Sequence, residues 1–299
     1  MALIDLNASI GRMDGGLGLA LEYPRLRLSC ERSDEIRVEG PGAERIASAV
    51  RRVLGQLSRA GGAEIRVMES YPSHVGLGSG TQLALAAGCA VGRLYGADLG
   101  PREIAELVGR GGTSGIGVAA FERGGFILDG GHSLKVKKSF LPSSASRAPP
   151  PPVLMRHDFP DWEIALVFPR RGATYAGARE VDIFKRYCPI PLEEVRRLSH
   201  LILMKLLPAL VEGDVEAFGE GVNALQGLGF KKIELRLQHP RVRRLLYMAQ
   251  DCSYGAGMSS FGPVIYCLPE DREALRDKIP EEEAEIIFTK ARNRGASIR

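Results

Sequence analysis

Residues 71–88 read YPSHVGLGSGTQLALAAG, and this stretch restricts the fold more than any other. Three glycines, Gly76, Gly78 and Gly80, surround Ser79, and an apolar run of small residues follows without a break. Alternation over 64–69 predicts a strand just ahead, and helical spacing over 81–94 predicts a helix just behind. Glycine lets the backbone come close to a ligand. A helix N-terminus presents unpaired N–H groups and the positive end of the dipole. Strand, glycine loop and helix together make an anion cradle, and phosphate suits it best. The loop is neither GxxxxGK[ST] nor a GxGxxG unit closed by an acid, so it is not one of the common nucleotide signatures.

Composition narrows the guest. With 44% hydrophobic and 25% charged residues in 299, the chain reads as a globular protein of one large or two ordinary domains. A net charge of +4, from scattered basic residues, argues against nucleic acid and suits a polyanionic small molecule. The five cysteines are odd in number and far apart, without a CxxC pair, so free thiols in a reducing cytoplasm are expected. Neither a signal peptide nor an apolar run of membrane length is visible, so no membrane partner is expected.

Around the cradle the pattern alternates strands and helices. Strands are expected at 2–6, 25–29, 35–39, 118–121, 126–128, 133–138, 162–168, 264–268 and 285–289. Helices are expected at 44–59, from Pro101 to about Arg110, and at 192–210, 214–228, 240–250 and 272–278. Asp14, Gly15 and Gly16 read as a bend between 7 and 22. Two further glycine clusters stand out, GRGGTSGIG at 109–117 and YGAGMSSFGP at 254–263. The run LPSSASRAPPPP at 141–152 cannot be helix or central strand, and a domain junction or long surface loop is expected there. This divides the chain into 1–152 and 153–299.

The three glycine clusters, in order and spacing, resemble the GHMP kinase superfamily. Residues 72–81 resemble its PxxxGLGSSA motif, residues 255–260 its GAGxGG-type loop, and residues 11–21 its first motif region. The resemblance implies an α/β fold of α+β type, with two domains and the active site between them. It also implies that the loop of Gly76, Gly78, Ser79, Gly80 and Thr81 holds a phosphate chain. One feature departs from a kinase. The SGxD segment, whose Asp serves as base in many members, reads Ser114-Gly115-Ile116-Gly117 here, and glycine cannot deprotonate a hydroxyl.

A narrower resemblance is to the β-ribofuranosylaminobenzene 5′-phosphate synthase family, through residues 3–7, 11–21, 74–86, 109–133, 173–180 and 255–263. Gln82 and Gly117 both fit it. Its members usually carry a basic and aromatic strand ahead of the segment at 3–7, so a truncated or misassigned start is expected. This family implies a ribosyltransferase that joins 5-phosphoribosyl diphosphate (PRPP) to 4-aminobenzoate or 4-hydroxybenzoate. Carbon dioxide and pyrophosphate leave, on the route to tetrahydromethanopterin. It implies Mg²⁺, no organic cofactor and a cytoplasmic homodimer. An ATP-dependent small-molecule kinase and a non-catalytic binder of a phosphorylated ligand are the alternatives.

Site residues follow from that chemistry. Ser79 is expected to touch phosphate or metal, or else to cap the helix. Asp14 is expected to bind Mg²⁺ or ribose hydroxyls, or else to form a turn. His74 is a candidate acid or phosphate contact, or a structural loop residue. Thr113 and Ser114 are expected to add hydroxyl and N–H donors for phosphate, or to form a plain turn. Arg170, Arg171 and Arg179, with Lys185 behind them, are candidates for the 5′-phosphate and the benzoate carboxylate, or else Arg170, Arg171 and Lys185 are solvated basic residues of a loop. His132 reads as a turn residue and Trp162 as core.

Overall fold

The computed structural model describes residues 1–170 and 178–298. In chain order the described elements are β1 (Ala2–Asp5), β2 (Arg12–Leu19), β3 (Arg27–Ser33), β4 (Arg37–Glu39), α1 (Ala43–Gln56), β5 (Gly62–Glu69), α2 (Ser79–Leu94), α3 (Pro101–Val108), α4 (Ile116–Arg123), β6 (Phe126–Asp129), β7 (His132–Ser133) and β8 (Val153–His157). They continue with β9 (Ile164–Pro169), α5 (Ala178–Tyr187), α6 (Leu192–Leu201), α7 (Leu207–Glu212), α8 (Val215–Leu225), α9 (Gly229–Leu237), α10 (Pro240–Gln250), β10 (Ser253–Met258), β11 (Ile265–Pro269), α11 (Arg272–Lys278) and β12 (Ala284–Thr289). A π-helical turn, Ile202–Leu206, joins α6 to α7. Helices and mainly antiparallel sheets are mixed, as an α+β fold requires.

Three sheets carry these elements. The first runs β1-β2-β6-β8, with β7 also paired to β2. The second runs β10-β11-β9-β12 and is antiparallel throughout. The third, β3-β5-β4, lies beside α1 and α2. In α1 the buried residues Ile46, Ala49, Val50, Val53 and Leu54 form one stripe at helical spacing. That stripe packs on α2, whose Leu83, Ala84, Ala87 and Val91 are buried. Small residues in α2 let neighbours come close: a Cβ on Gly88 would lie 2.5 Å from Ile104 Cγ2. The second core joins the two halves, with Phe126, Phe159, Phe218 and Trp162 in mutual ring contact.

Four expectations change. Residues 118–121 lie in α4, not a strand; a four-residue apolar run does not tell the two apart. Of the strand expected at 133–138 only Ser133 pairs with β2, because the chain turns so that Lys137 reaches the interior. The third glycine cluster begins as strand β10 rather than as a loop. The proline run, expected as a domain junction or a long surface loop, is packed against the first half rather than lying free on the surface. Pro150 and Pro151 are buried, their carbonyls accept from Arg102, and Ser146 Oγ donates to Gly112 O. The following strand, β8, pairs with β6 of the first sheet, so the chain leaves that sheet after His157 and not at 152.

Candidate active site

Gly78 is the N-cap of α2, at φ 70°. Ser79 is therefore the first helical residue and makes no capping bond; its Oγ lies 3.5 Å from Ser73 Oγ. Thr81 and Gln82 amides return to Gly78 O, whereas the Ser79 and Gly80 amides have no partner among the described residues. These are the orphan donors that a phosphate cradle needs. The loop is held from the opposite half of the chain. Ser259 Oγ donates to Gly76 O at 2.9 Å, and Val264 N donates to Val75 O at 3.2 Å. At Gly76 a Cβ would fall 2.0 Å from Ser259 O, so only glycine allows this approach. The first and third glycine clusters are thus one structure.

The second cluster sits across α2. Gln82 Nε2 donates to Gly117 O at 2.8 Å, tying the cradle helix to the start of α4. A Cβ on Gly117 would press on Thr81 Cγ2 at 3.2 Å. The position where a kinase base is expected is therefore filled by a backbone contact. Ser114 lines the cavity, and Gly115 N donates to Asp129 Oδ2 at 3.0 Å. Burial pushes the Asp129 carboxyl up to about 6, against the pull of two amide donors. Thr113 is buried; its hydroxyl donates to Leu141 O and accepts from Lys137 Nζ at 3.1 Å.

Asp14 does not form a bend. It lies inside β2 with φ 68°, fully buried. Lys137 Nζ donates to it at 2.9 and 3.1 Å, and His132 Nδ1 lies 2.6 Å away. Both oxygens are thus engaged, and Asp14 is absent from the cavity wall, so it does not fit a metal-binding role in this arrangement. His132 is correspondingly no turn residue but a buried partner, its Nε2 2.8 Å from Pro149 O. Burial lowers the Lys137 amine, and the Asp14 carboxylate offsets part of that.

A cavity of about 1360 Å³ opens between the two halves. The cradle forms part of its wall, with His74, Ser79, Thr81, Thr113 and Ser114. His74 is exposed, with φ 63°. The second-core side chains Phe159, Leu166, Phe218 and Tyr266 also border the cavity. Lys231 and Glu234, a buried ion pair, also line it, and Lys231 Nζ donates to Ser260 O at 2.7 Å. Glu180, on α5, lines the same space; burial raises its carboxyl to about 7. Arg45 and Arg110 stand on the wall beside the cradle. Of these eight charged or aromatic residues only Arg110 and Glu180 fall in segments that carry a sequence signal, the glycine cluster at 109–117 and the stretch 173–180.

Arg170 is not brought to the site. Its Nε donates to Glu281 O, and it lines a separate small cleft with Arg241 and Glu283. Arg179 and Lys185 are exposed on α5 and do not line the cavity, and Arg171 lies outside the described residues. No group of three His, Cys, Asp or Glu side chains among the described residues forms a metal cage. The donors present fit a Mg²⁺ ion that arrives on a phosphate chain, with Ser79 Oγ as the protein oxygen to hold it. The five cysteines are free thiols. No helix among the described residues is long and apolar enough to cross a membrane.

Comparison with known proteins agrees with this geometry. Residues 43–125 match the GHMP kinases N terminal domain and residues 206–285 the GHMP kinases C terminal domain. A homoserine kinase from Cytophaga hutchinsonii superposes with a TM-score of 0.66 at 17% identity, covering 98% of this chain and 93% of its own, which shows a shared fold. The β-ribofuranosylphenol 5′-phosphate synthase of Archaeoglobus fulgidus is 49% identical over 100% of this chain and 96% of its own length. The enzyme of the same name from Methanothermobacter thermautotrophicus is 47% identical over 99% of this chain and 94% of its own. The chain belongs to the GHMP kinase superfamily and, within it, to the family of the β-ribofuranosylphenol 5′-phosphate synthases.

Proposed function

We propose that the chain is a decarboxylating C-ribosyltransferase that joins PRPP to a para-substituted benzoate, in tetrahydromethanopterin biosynthesis. The observation that carries this reading is a polyanion cradle whose kinase base is replaced by the Gln82–Gly117 contact. The name of the relatives points to a phenol product, and hence to 4-hydroxybenzoate over 4-aminobenzoate as acceptor.

The chemistry asks little of any protein nucleophile. The C1–O bond to diphosphate breaks, and the ribose gains oxocarbenium character. The ring carbon bearing the carboxylate attacks C1, driven by the para hydroxyl. The bond to the carboxylate then breaks, its electron pair restores aromaticity, and CO2 departs. The orphan amides of Ser79 and Gly80 hold diphosphate oxygens, and Ser79 Oγ would hold a Mg²⁺ ion that neutralises the departing charge. The cavity between the two halves, backed by the aromatic core of Phe159 and Phe218, would shelter the ring from water. Positioning and electrostatics supply the rate. A cytoplasmic homodimer belongs to the same proposal.

The test is release of labelled CO2 from carboxyl-labelled 4-hydroxybenzoate, with 4-aminobenzoate in parallel, in the presence of PRPP and Mg²⁺. Stoichiometric CO2 and pyrophosphate are expected. ADP formed from ATP in place of CO2 would show a kinase, and a ligand-induced melting shift without turnover would show a binder.

A further inference from the structure

Four arginines gather near the first two glycine clusters: Arg45 at the cradle, and Arg52, Arg110 and Arg147 around Gly109. A Cβ on Gly80 would lie 1.9 Å from Arg45 Nη1. A Cβ on Gly109 would lie 2.9 Å from Arg147 Nη1 and 3.3 Å from Arg52 Nη1. Arg110 follows Gly109, and its Nε is buried without a hydrogen-bond partner. Among the described residues no carboxylate forms an ion pair with Arg45, Arg52, Arg110 or Arg147; Arg52 donates to Leu107 O at 3.2 Å. Burial first, and then the charges of Arg45, Arg147 and Arg52, push the Arg110 guanidinium down to about 10.

Such a cluster opposes folding. Like charges a few ångströms apart repel, and a buried guanidinium nitrogen without a partner loses its hydration. An anion reverses both effects. Two features decide which anion. Arg45 touches the cradle itself at Gly80, and Arg110 stands at the entrance to the second glycine loop; both are on the cavity wall. Two orphan amides and two guanidinium forks offer more donors than the three terminal oxygens of one phosphate monoester can use. A diphosphate matches them.

We propose that Arg45 and Arg110 clamp the diphosphate of the ribosyl donor against the cradle and hold pyrophosphate after the C1–O bond breaks, with Arg52 and Arg147 adding to the positive field. This rests on the ribosyl-transfer reading for the identity of the donor. The 5′-phosphate then binds elsewhere in the cavity.

Calorimetric titration of the full chain with pyrophosphate, and separately with ribose 5-phosphate, tests it without turnover. Arg110→Gln and Arg45→Gln should each weaken pyrophosphate binding by at least about tenfold, as loss of a charge-assisted contact does. Ribose 5-phosphate affinity should stay within about twofold of the parent, and melting curves should show both variants folded. The clamp is overturned if both variants bind pyrophosphate like the parent. It is overturned equally if ribose 5-phosphate loses affinity as much or more, which would assign the cluster to the sugar phosphate. A chain that releases no CO2 yet loses pyrophosphate affinity in both variants sinks the ribosyl-transfer reading and leaves the pyrophosphate clamp standing.

Discussion

Asp129 shows how much one residue's role depends on neighbours far away in sequence. It is fully buried, and its oxygens accept the amides of Gly115 and Gly131 at 3.0 Å each. Burial outweighs those two bonds and holds its carboxyl up near 6, above the ordinary 3.8. The folded state therefore binds more protons than the unfolded state between these values. Stability contributed by protonated Asp129 is complete below about pH 3.8 and is lost as pH rises through about 6. Urea unfolding from pH 4 to 7 should show that decline, and Asp129→Asn should flatten it whatever the variant's absolute stability. An unchanged slope in the variant would place the proton elsewhere. Sequence reading singled out Ser79, Gly117 and Gln82 because each sits in a local pattern. Arg45 and Lys137 sit in no such pattern, and the roles of Arg110 and Asp129, which lie in the segment 109–133, are set only by the partners that folding gives them.

At the scale of elements, glycines decide where helices meet strands. A Cβ on Gly219, in α8, would lie 2.2 Å from Tyr254 O of β10. The close approach is fixed by side-chain bonds, Ala256 N to Asn223 Oδ1 at 2.9 Å and Met258 N to Gln226 Oε1 at 3.0 Å. Gly219→Ala should therefore cost about 1–3 kcal/mol by overpacking, despite alanine's better helix propensity. Chemical denaturation measures it; a stabilised variant would show that the helix can retreat without loss. Gly18 plays the same part between β2 and α4, where a Cβ would lie 2.1 Å from Ile116 Cγ2. These contacts explain why the strand expected at 118–121 is a helix. The apolar residues of 118–121 satisfy either period, and α4 is helical because Gly115 turns the chain and Gly18 makes room for Ile116.

The whole molecule is closed by its own ends. After β12 the chain returns to the first half. Arg292 N donates to Ala20 O at 2.9 Å, Gly125 N to Arg292 O at 2.7 Å, and Ala296 N to Phe121 O at 2.7 Å. Asn293 bonds both backbone groups of Phe159, at 2.8 and 2.9 Å. A chain ending at Lys290 would leave the buried Gly125 and Phe159 amides without partners, at about 1–3 kcal/mol each. Its melting temperature should fall by many degrees, and a fall of only a degree or two would show that water replaces the tail. Strand β8 and residues 291–296 pack on the first half, although both lie in the second.

The sequence by itself determined the cradle, its helix, the order of the three glycine clusters and the missing acid at Gly117, because each is a local pattern of residue type and spacing. Only the tertiary structure decided that Ser259 braces Gly76, that Asp14 is taken up by Lys137 and His132, that Arg170 lies away from the cavity, that Arg45 reaches Gly80 and that Arg110 lines the cavity. The physical reason is range. Backbone conformation follows from neighbours a few residues away, whereas burial and charge pairing are set by whichever segments the folded core brings into contact.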